Sequence, residues 1–153
     1  MTRVALLVLH GVVALTAIGG AIWVVPTMPL EWIKAGPFDD WTIPAIALGL
    51  VGTIAAAAFI AVLARPWLGG LLSVVAGSAM VVFEIVEIAV VGWTLADPRL
   101  SGSFQAWLQP IYLVVGTAQL ILGIRLWFEY RGAAPTLPLI HDPHDDGGAI
   151  GAA

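Results

Sequence analysis

Four long apolar runs set the limits on what this chain can become. They cover roughly residues 4–25, 41–63, 68–95 and 104–128. A helix of about 20 apolar residues crosses a hydrocarbon core of about 30 Å, so each run is long enough to span. The third exceeds what crossing needs, which predicts tilt or extension past the membrane surface. Pro26 and Pro29, Arg65-Pro66 and Asp97-Pro98 mark the breaks between runs. Composition agrees: 60% of the residues are hydrophobic and only 10% charged, against about 45–50% and about 25% in soluble domains. The expected fold is all-α, an integral membrane four-helix bundle over residues 1–130. Residues 131–153, polar and rich in Gly and Pro, are expected to form a flexible tail.

Orientation follows from the basic residues. Arg3, Arg65, Arg125 and Arg131 fall on one side, with only Lys34 and Arg99 on the other. Both termini are therefore expected in the cytoplasm. Glu31, Asp39, Asp40 and Asp97 make the outer side acidic. Trp23, Trp32, Trp41, Trp93 and Trp107 lie near the outer boundary, and Trp67 and Trp127 near the inner one, as an aromatic belt requires. The first run is longer than the usual signal-peptide core of about 7–15 residues and lacks an AxA-like cleavage site, so an uncleaved span is expected.

Several function classes lack support. The net charge is −4 and no Lys/Arg cluster exists, so there is no nucleic-acid footprint. The absence of cysteine removes disulfides, thiol catalysis, Fe–S clusters and Cys-type zinc sites. No GxSxG, HExxH, Walker A or GxGxxG pattern occurs. Enzymatic activity and a cofactor are not expected. The tail sequence HDPHDD offers His141, His144 and Asp145 as metal ligands, but their spacing fits no closed motif and a dedicated site is not expected.

Polar chemistry inside the spans is concentrated in the third. Glu84 and Glu87 are three residues apart and share a helix face. An acidic side chain near the centre of a membrane helix costs on the order of 2.5–3.5 kcal/mol. Ser73, Gly77, Met80, Glu84, Glu87 and Val91 line that face, and Leu71, Val75, Val82, Val86 and Ala89 line the opposite one. Gly69, Ser73 and Gly77 form a small-residue ladder that permits close helix approach. The glutamates should therefore face the bundle interior. With no Lys or Arg at their depth, ionising both is costly, and the two carboxyls can share a proton.

The other spans supply matching stripes. The fourth offers Gln109, Tyr112, Gly116, Gln119 and Gly123, with Tyr112 at the depth of the glutamates. The second offers Thr42, Ala45, Gly49, Thr53 and Ala56, and the first Val12, Thr16, Gly19, Gly20 and Trp23. The candidate polar site is Glu84, Glu87, Tyr112 and Thr42, with Gln109, Gln119 and His10 as secondary members. His10 lies away from the Thr16 stripe and is weighed between a relay and an interfacial histidine. The pair reads either as a proton, cation or polar-ligand site or as a neutral clamp between helices. At the entry to the second span, PFDDWTIPA predicts Thr42 as N-cap, with Asp39 and Asp40 favouring the positive helix end.

Three segments together carry a resemblance: HGVVALTAIGGAIWVVP (His10–Pro26), GPFDDWTIPAIALGLVG (Gly36–Gly52) and WLQPIYLVVGTAQLILG (Trp107–Gly123), with VEI at Val86–Ile88. The chain resembles a group of small, uncharacterised four-span bacterial membrane proteins. In that group a segment like SPFxDYTIPG precedes the second span, a Glu or Gln sits late in the third, and LQPIYF opens the fourth. Gly36 and Ala45 stand where the pattern has Ser and Gly. Glu87 matches the polar position and Glu84 is an addition. The resemblance implies a multi-pass protein of the bacterial inner membrane and assigns no activity. The expected role is a non-enzymatic accessory or partner-binding subunit, meeting the lipid bilayer and either another membrane protein or a second copy. The alternatives are a proton- or cation-coupled transport component and a lipid- or quinone-binding membrane protein or enzyme.

Overall fold

Of the breaks between the apolar runs, Arg65-Pro66 is a helix boundary, Pro26 falls in the last turn of the first helix, and the third helix ends ahead of Asp97. The computed structural model describes residues 1–27, 39–97 and 104–133. It places α1 at Thr2–Thr27, α2 at Thr42–Ala64, α3 at Pro66–Val91 and α4 at Leu108–Tyr130. Short 3-10 turns cover Thr94–Ala96, Phe104–Trp107 and Arg131–Ala133. All four helices are long and apolar enough to cross a membrane, and no strand occurs among the described residues.

A single extended residue, Arg65, separates α2 from α3. Its N–H closes α2 on Ala61 O, and its carbonyl accepts the Gly69 N–H, each at 2.8 Å. Pro66 takes the first position of α3, where its missing N–H goes unused. Gly69 lets the backbones meet at once: a Cβ there would lie 2.5 Å from Val62 Cα. At the far end α3 stops at Val91, short of the apolar run's end at residue 95. Gly92 turns the chain with φ of 92°, a conformation that suits glycine.

Helices adjacent in sequence pack as antiparallel neighbours, and α4 closes the ring against α1. Between α3 and α4 the seam is made of glycine. A Cβ on Gly77 would meet Gly116 O at 2.5 Å, and one on Gly70 would meet Trp127 N at 2.5 Å. A Cβ on Gly123 would lie 2.8 Å from Ser73 Cβ. The ladder facing α4 is thus Gly70, Ser73 and Gly77, while Gly69 serves the α2 contact.

Val13, Ala14, Val51, Ala55 and Met80 form the central core, with Phe83, Tyr112 and Val115 packed against it. Leu6, Val62 and Leu126 form a second cluster nearer the Arg65 end. Large apolar side chains cover the outside, among them Leu15, Ile46, Val82 and Val114. That surface suits lipid and is unsuited to water. Arg3, Arg65, Arg125 and Arg131 share one end of the bundle, and Asp39, Asp40 and Asp97 the other.

The inward faces of α3 and α4 are as expected. Ser73, Gly77, Met80 and Glu84 are buried and Glu87 is half-buried, while Leu71, Val75, Val82, Val86 and Ala89 are exposed. Gln109, Gly116, Gln119 and Gly123 are buried and Tyr112 half-buried. The stripe expected on α1 is overturned except at Gly20, which is half-buried against Leu48. Val12, Thr16, Gly19 and Trp23 point outward, and the buried face is Thr2, Leu6, His10, Val13, Ala14 and Ala17. On α2, Ala45 is buried and Gly49 and Ala56 are half-buried, but Thr42 and Thr53 are exposed. The reason is local. Thr16 bonds Val12 O and Thr53 bonds Gly49 O, each at 2.8 Å, so each hydroxyl is satisfied by its own helix.

Candidate functional site

Along the α3–α4 seam, Gly77 packs on Gly116, and about two to three turns further Gln109 bonds Glu87. Glu84 lies between these levels on α3, as Tyr112 does on α4. The expected shared depth of Tyr112 and the glutamates therefore holds.

Gln109, only 1% exposed, organises this end. Its Nε2 donates to Glu87 Oε1 at 3.3 Å and to Gly92 O at 3.2 Å. Its Oε1 accepts the Thr94 N–H at 2.9 Å, and Thr94 Oγ1 donates to Ala106 O at 2.8 Å. One amide thus uses both N–H groups and its oxygen to hold the end of α3, the following turn and the start of α4. Sequence reasoning ranked it as secondary, yet it is the organising side chain here.

Glu84 is different. It is 1% exposed, and among the described residues its Oε2 has no hydrogen-bond partner. Glu87 acts as part of a clamp, and Glu84 clamps nothing. Tyr112 packs beside the central core and makes no hydrogen bond among the described residues. Thr42 does not join the site. It is exposed, and it is the first residue of α2 rather than its cap. Trp41 stands at the cap position, and the Asp40 carboxylate accepts the Thr42 N–H at 2.8 Å. A carboxylate at a helix N-terminus does what a threonine cap would do, and with the favourable charge. Asp39 is exposed beside it. Residues 37 and 38, at the start of this entry segment, lie outside the described residues.

A second polar cluster lies towards the Arg65 end. His10 Nε2 is 2.7 Å from Ser73 Oγ, and Gln119 Nε2 is 3.0 Å from His10 Nδ1. Ser73 Oγ donates to Gly69 O at 2.7 Å. With that proton committed, His10 Nε2–H donates to Ser73, and Nδ1 accepts from Gln119. The imidazole is then neutral with its proton on Nε2. All three side chains are 0% exposed, and only Gln119 Oε1 is left without a partner. Serine, imidazole and amide stand in the order of a nucleophile, a base and an orienting group, but the Nε2 proton faces Ser73, so His10 takes none from it. Ser73, however, lies in the closed glycine seam, where no substrate atom can approach. What the arrangement does is tie α1, α3 and α4 together. Its signal in the sequence was His10, because an imidazole finds no acceptor on its own helix and must look to a neighbour.

The Arg65 end is fastened by polar contacts at its rim. Arg3 donates to Val62 O at 3.1 Å and Leu63 O at 2.7 Å, placing a cation at the negative end of α2. Thr2 Oγ1 donates to Glu129 Oε1, which also pairs with Arg125 at 2.9 Å.

No group of three or more His, Cys, Asp or Glu side chains able to hold a metal occurs among the described residues. His141, His144 and Asp145 lie outside them. No family model, curated protein or solved structure matches the chain.

Proposed function

We propose that the chain is a non-enzymatic multi-pass protein of a bacterial inner membrane, both termini cytoplasmic, acting as an accessory bundle beside a membrane partner. The observation that carries this reading is where the polar side chains go. Ser73, His10 and Gln119 bond one another, and Gln109 holds Glu87 with the α3–α4 turn. The interior holds helices together, leaving the apolar outside and charged ends to meet other molecules. The Arg3, Arg65, Arg125 and Arg131 end fits the cytoplasmic side. The resemblance to small four-span bacterial proteins agrees.

The test is photo-crosslinking in native membranes from single positions on each helix, such as Leu15, Ile46, Val82 and Val114. Protein adducts confined to one face are expected. Lipid adducts alone at every position would refute a partner.

One observation favours a second reading, a proton-coupled component. Glu84 is a buried carboxyl whose Oε2 bonds nothing, so the clamp that accounts for Glu87 does not account for it. Proton flux into vesicles that is unchanged by Glu84→Gln would count against this reading.

A further inference from the structure

We propose that Glu84 is a proton-binding site closed towards the Arg65 end and loaded from the opposite end through Glu87. The inference rests on the second reading above and adds a route and a direction of access.

The geometry is a gradient of burial on one helix face. Glu87 is half-buried, with one oxygen held by Gln109. Glu84, three residues deeper, is 1% exposed with a bare Oε2. Side chains at this spacing have Cβ atoms about 5–6 Å apart, which puts two carboxyls within reach of each other, directly or through one water. Beyond Glu84, Met80 and the Val13, Ala14, Val51 and Ala55 cluster close the interior. The other polar cluster begins at Ser73, about 16 Å further along α3, with that apolar layer between. Access is therefore from one side.

The ligand chemistry follows from what is present. Hard cations take about six or more oxygen ligands, and this level of the bundle offers two carboxyls and Tyr112. A proton needs one oxygen and no cavity. Among the described residues, Asp39, Asp40 and Asp97 lie at the loading end, and few other groups compete for the proton within the helices. On α2 there is no titratable side chain, and on α1 only Arg3 and His10. Arg3 binds the end of α2, and His10 binds Ser73 and Gln119. On α4, Arg125, Glu129, Tyr130 and the adjoining Arg131 sit at the far end, leaving Tyr112. The step is a proton transfer alone. The O–H bond on Glu87 breaks as one forms on Glu84 Oε2, and Glu87 is refilled from water.

Infrared spectroscopy on the full chain in phosphatidylcholine vesicles tests this. The expected result is a protonated-carboxyl C=O band that Glu84→Gln removes and that shifts on exchange into D2O. Glu87→Gln keeps one acceptor oxygen at that position, enough for the Gln109 contact, but carries no acid proton, and it should slow the shift at least tenfold. Glu87→Asp should restore most of the rate. Should Glu84→Gln fail to reach the membrane, Glu84→Asp serves, moving the band instead of removing it. An acid band untouched by either Glu84 change overturns the site itself. A Glu84 band that deuterates at the wild-type rate in Glu87→Gln overturns the route through Glu87 and leaves the proton site standing.

Discussion

His10 on α1 and Ser73 on α3 meet at 2.7 Å, in a place no water reaches. That contact, with Gln119 on the other ring nitrogen, joins three helices through one imidazole. Replacing it leaves Gln119 with a donor and an acceptor both unmatched in an apolar interior. His10→Leu should destabilise the folded bundle by about 1–3 kcal/mol. Adding Gln119→Leu should cost less than the sum of the two single changes, because the second removes groups already stranded. Denaturation in mixed micelles, read by circular dichroism, measures both. An additive pair would place the two residues in independent roles.

The glycine seam makes opposite predictions for two glycines of α1 and α3. Gly77→Ala would bring a Cβ within 2.5 Å of Gly116 O and 2.6 Å of Leu120 N, both backbone atoms. It should destabilise by about 1–3 kcal/mol or push the helices apart. Gly19 has nothing within 4 Å of its Cβ position. Gly19→Ala should stabilise by about 0.4–1 kcal/mol through the unfolded chain. Thermal unfolding in detergent compares them, and equal effects would argue against a contact seam.

The two glutamates should also part company. Glu87 is bonded and Glu84 is not, so Glu84→Leu removes a stranded polar group while Glu87→Leu strands the Gln109 amide. Glu84→Leu should leave stability unchanged or raise it, whereas Glu87→Leu should lower it by about 1–2 kcal/mol. The same denaturation assay decides. A larger loss at Glu84 would mean that it holds the bundle after all.

Gln109→Leu releases Gly92 O, the Thr94 N–H and Glu87 together. Amide hydrogen exchange at Thr94 should accelerate by an order of magnitude or more, while amides in the middle of α2 stay protected. Uniform acceleration across all helices would instead indicate global loosening.

Which parts were legible in the sequence depended on which side chains can satisfy themselves. The inward faces of α3 and α4 were readable because Glu84, Glu87, Gln109 and Gln119 have no intrahelical partner and must turn inward. The face of α1 was misread through threonine, and on α2 the threonines alone were misplaced. Thr16 and Thr53 bond the carbonyl four residues back and so sit comfortably against lipid. On α1 and α2 small residues were an uneven guide: Gly20 packs against Leu48 and Gly52 against Ile18, while Gly19 touches nothing. At the entry to α2 the aspartates were correctly tied to the helix end, but Asp40 rather than Thr42 takes the free N–H. The His10 network needed distances between helices that no single-helix wheel contains.

The glycine contacts between α3 and α4 bear on how the chain is built into a bilayer. Released alone, α3 would offer Glu84 and Glu87 to lipid, at roughly 2.5–3.5 kcal/mol each. Gln109 and the close cover of α4 arrive only with the next segment to be synthesised. The third helix thus has reason to linger beside the insertion machinery until the fourth emerges, and the pair should integrate as one hairpin. In a reporter-tag insertion assay, residues 66–91 alone should integrate less completely than 66–130, and equal insertion would mean that α3 needs no companion.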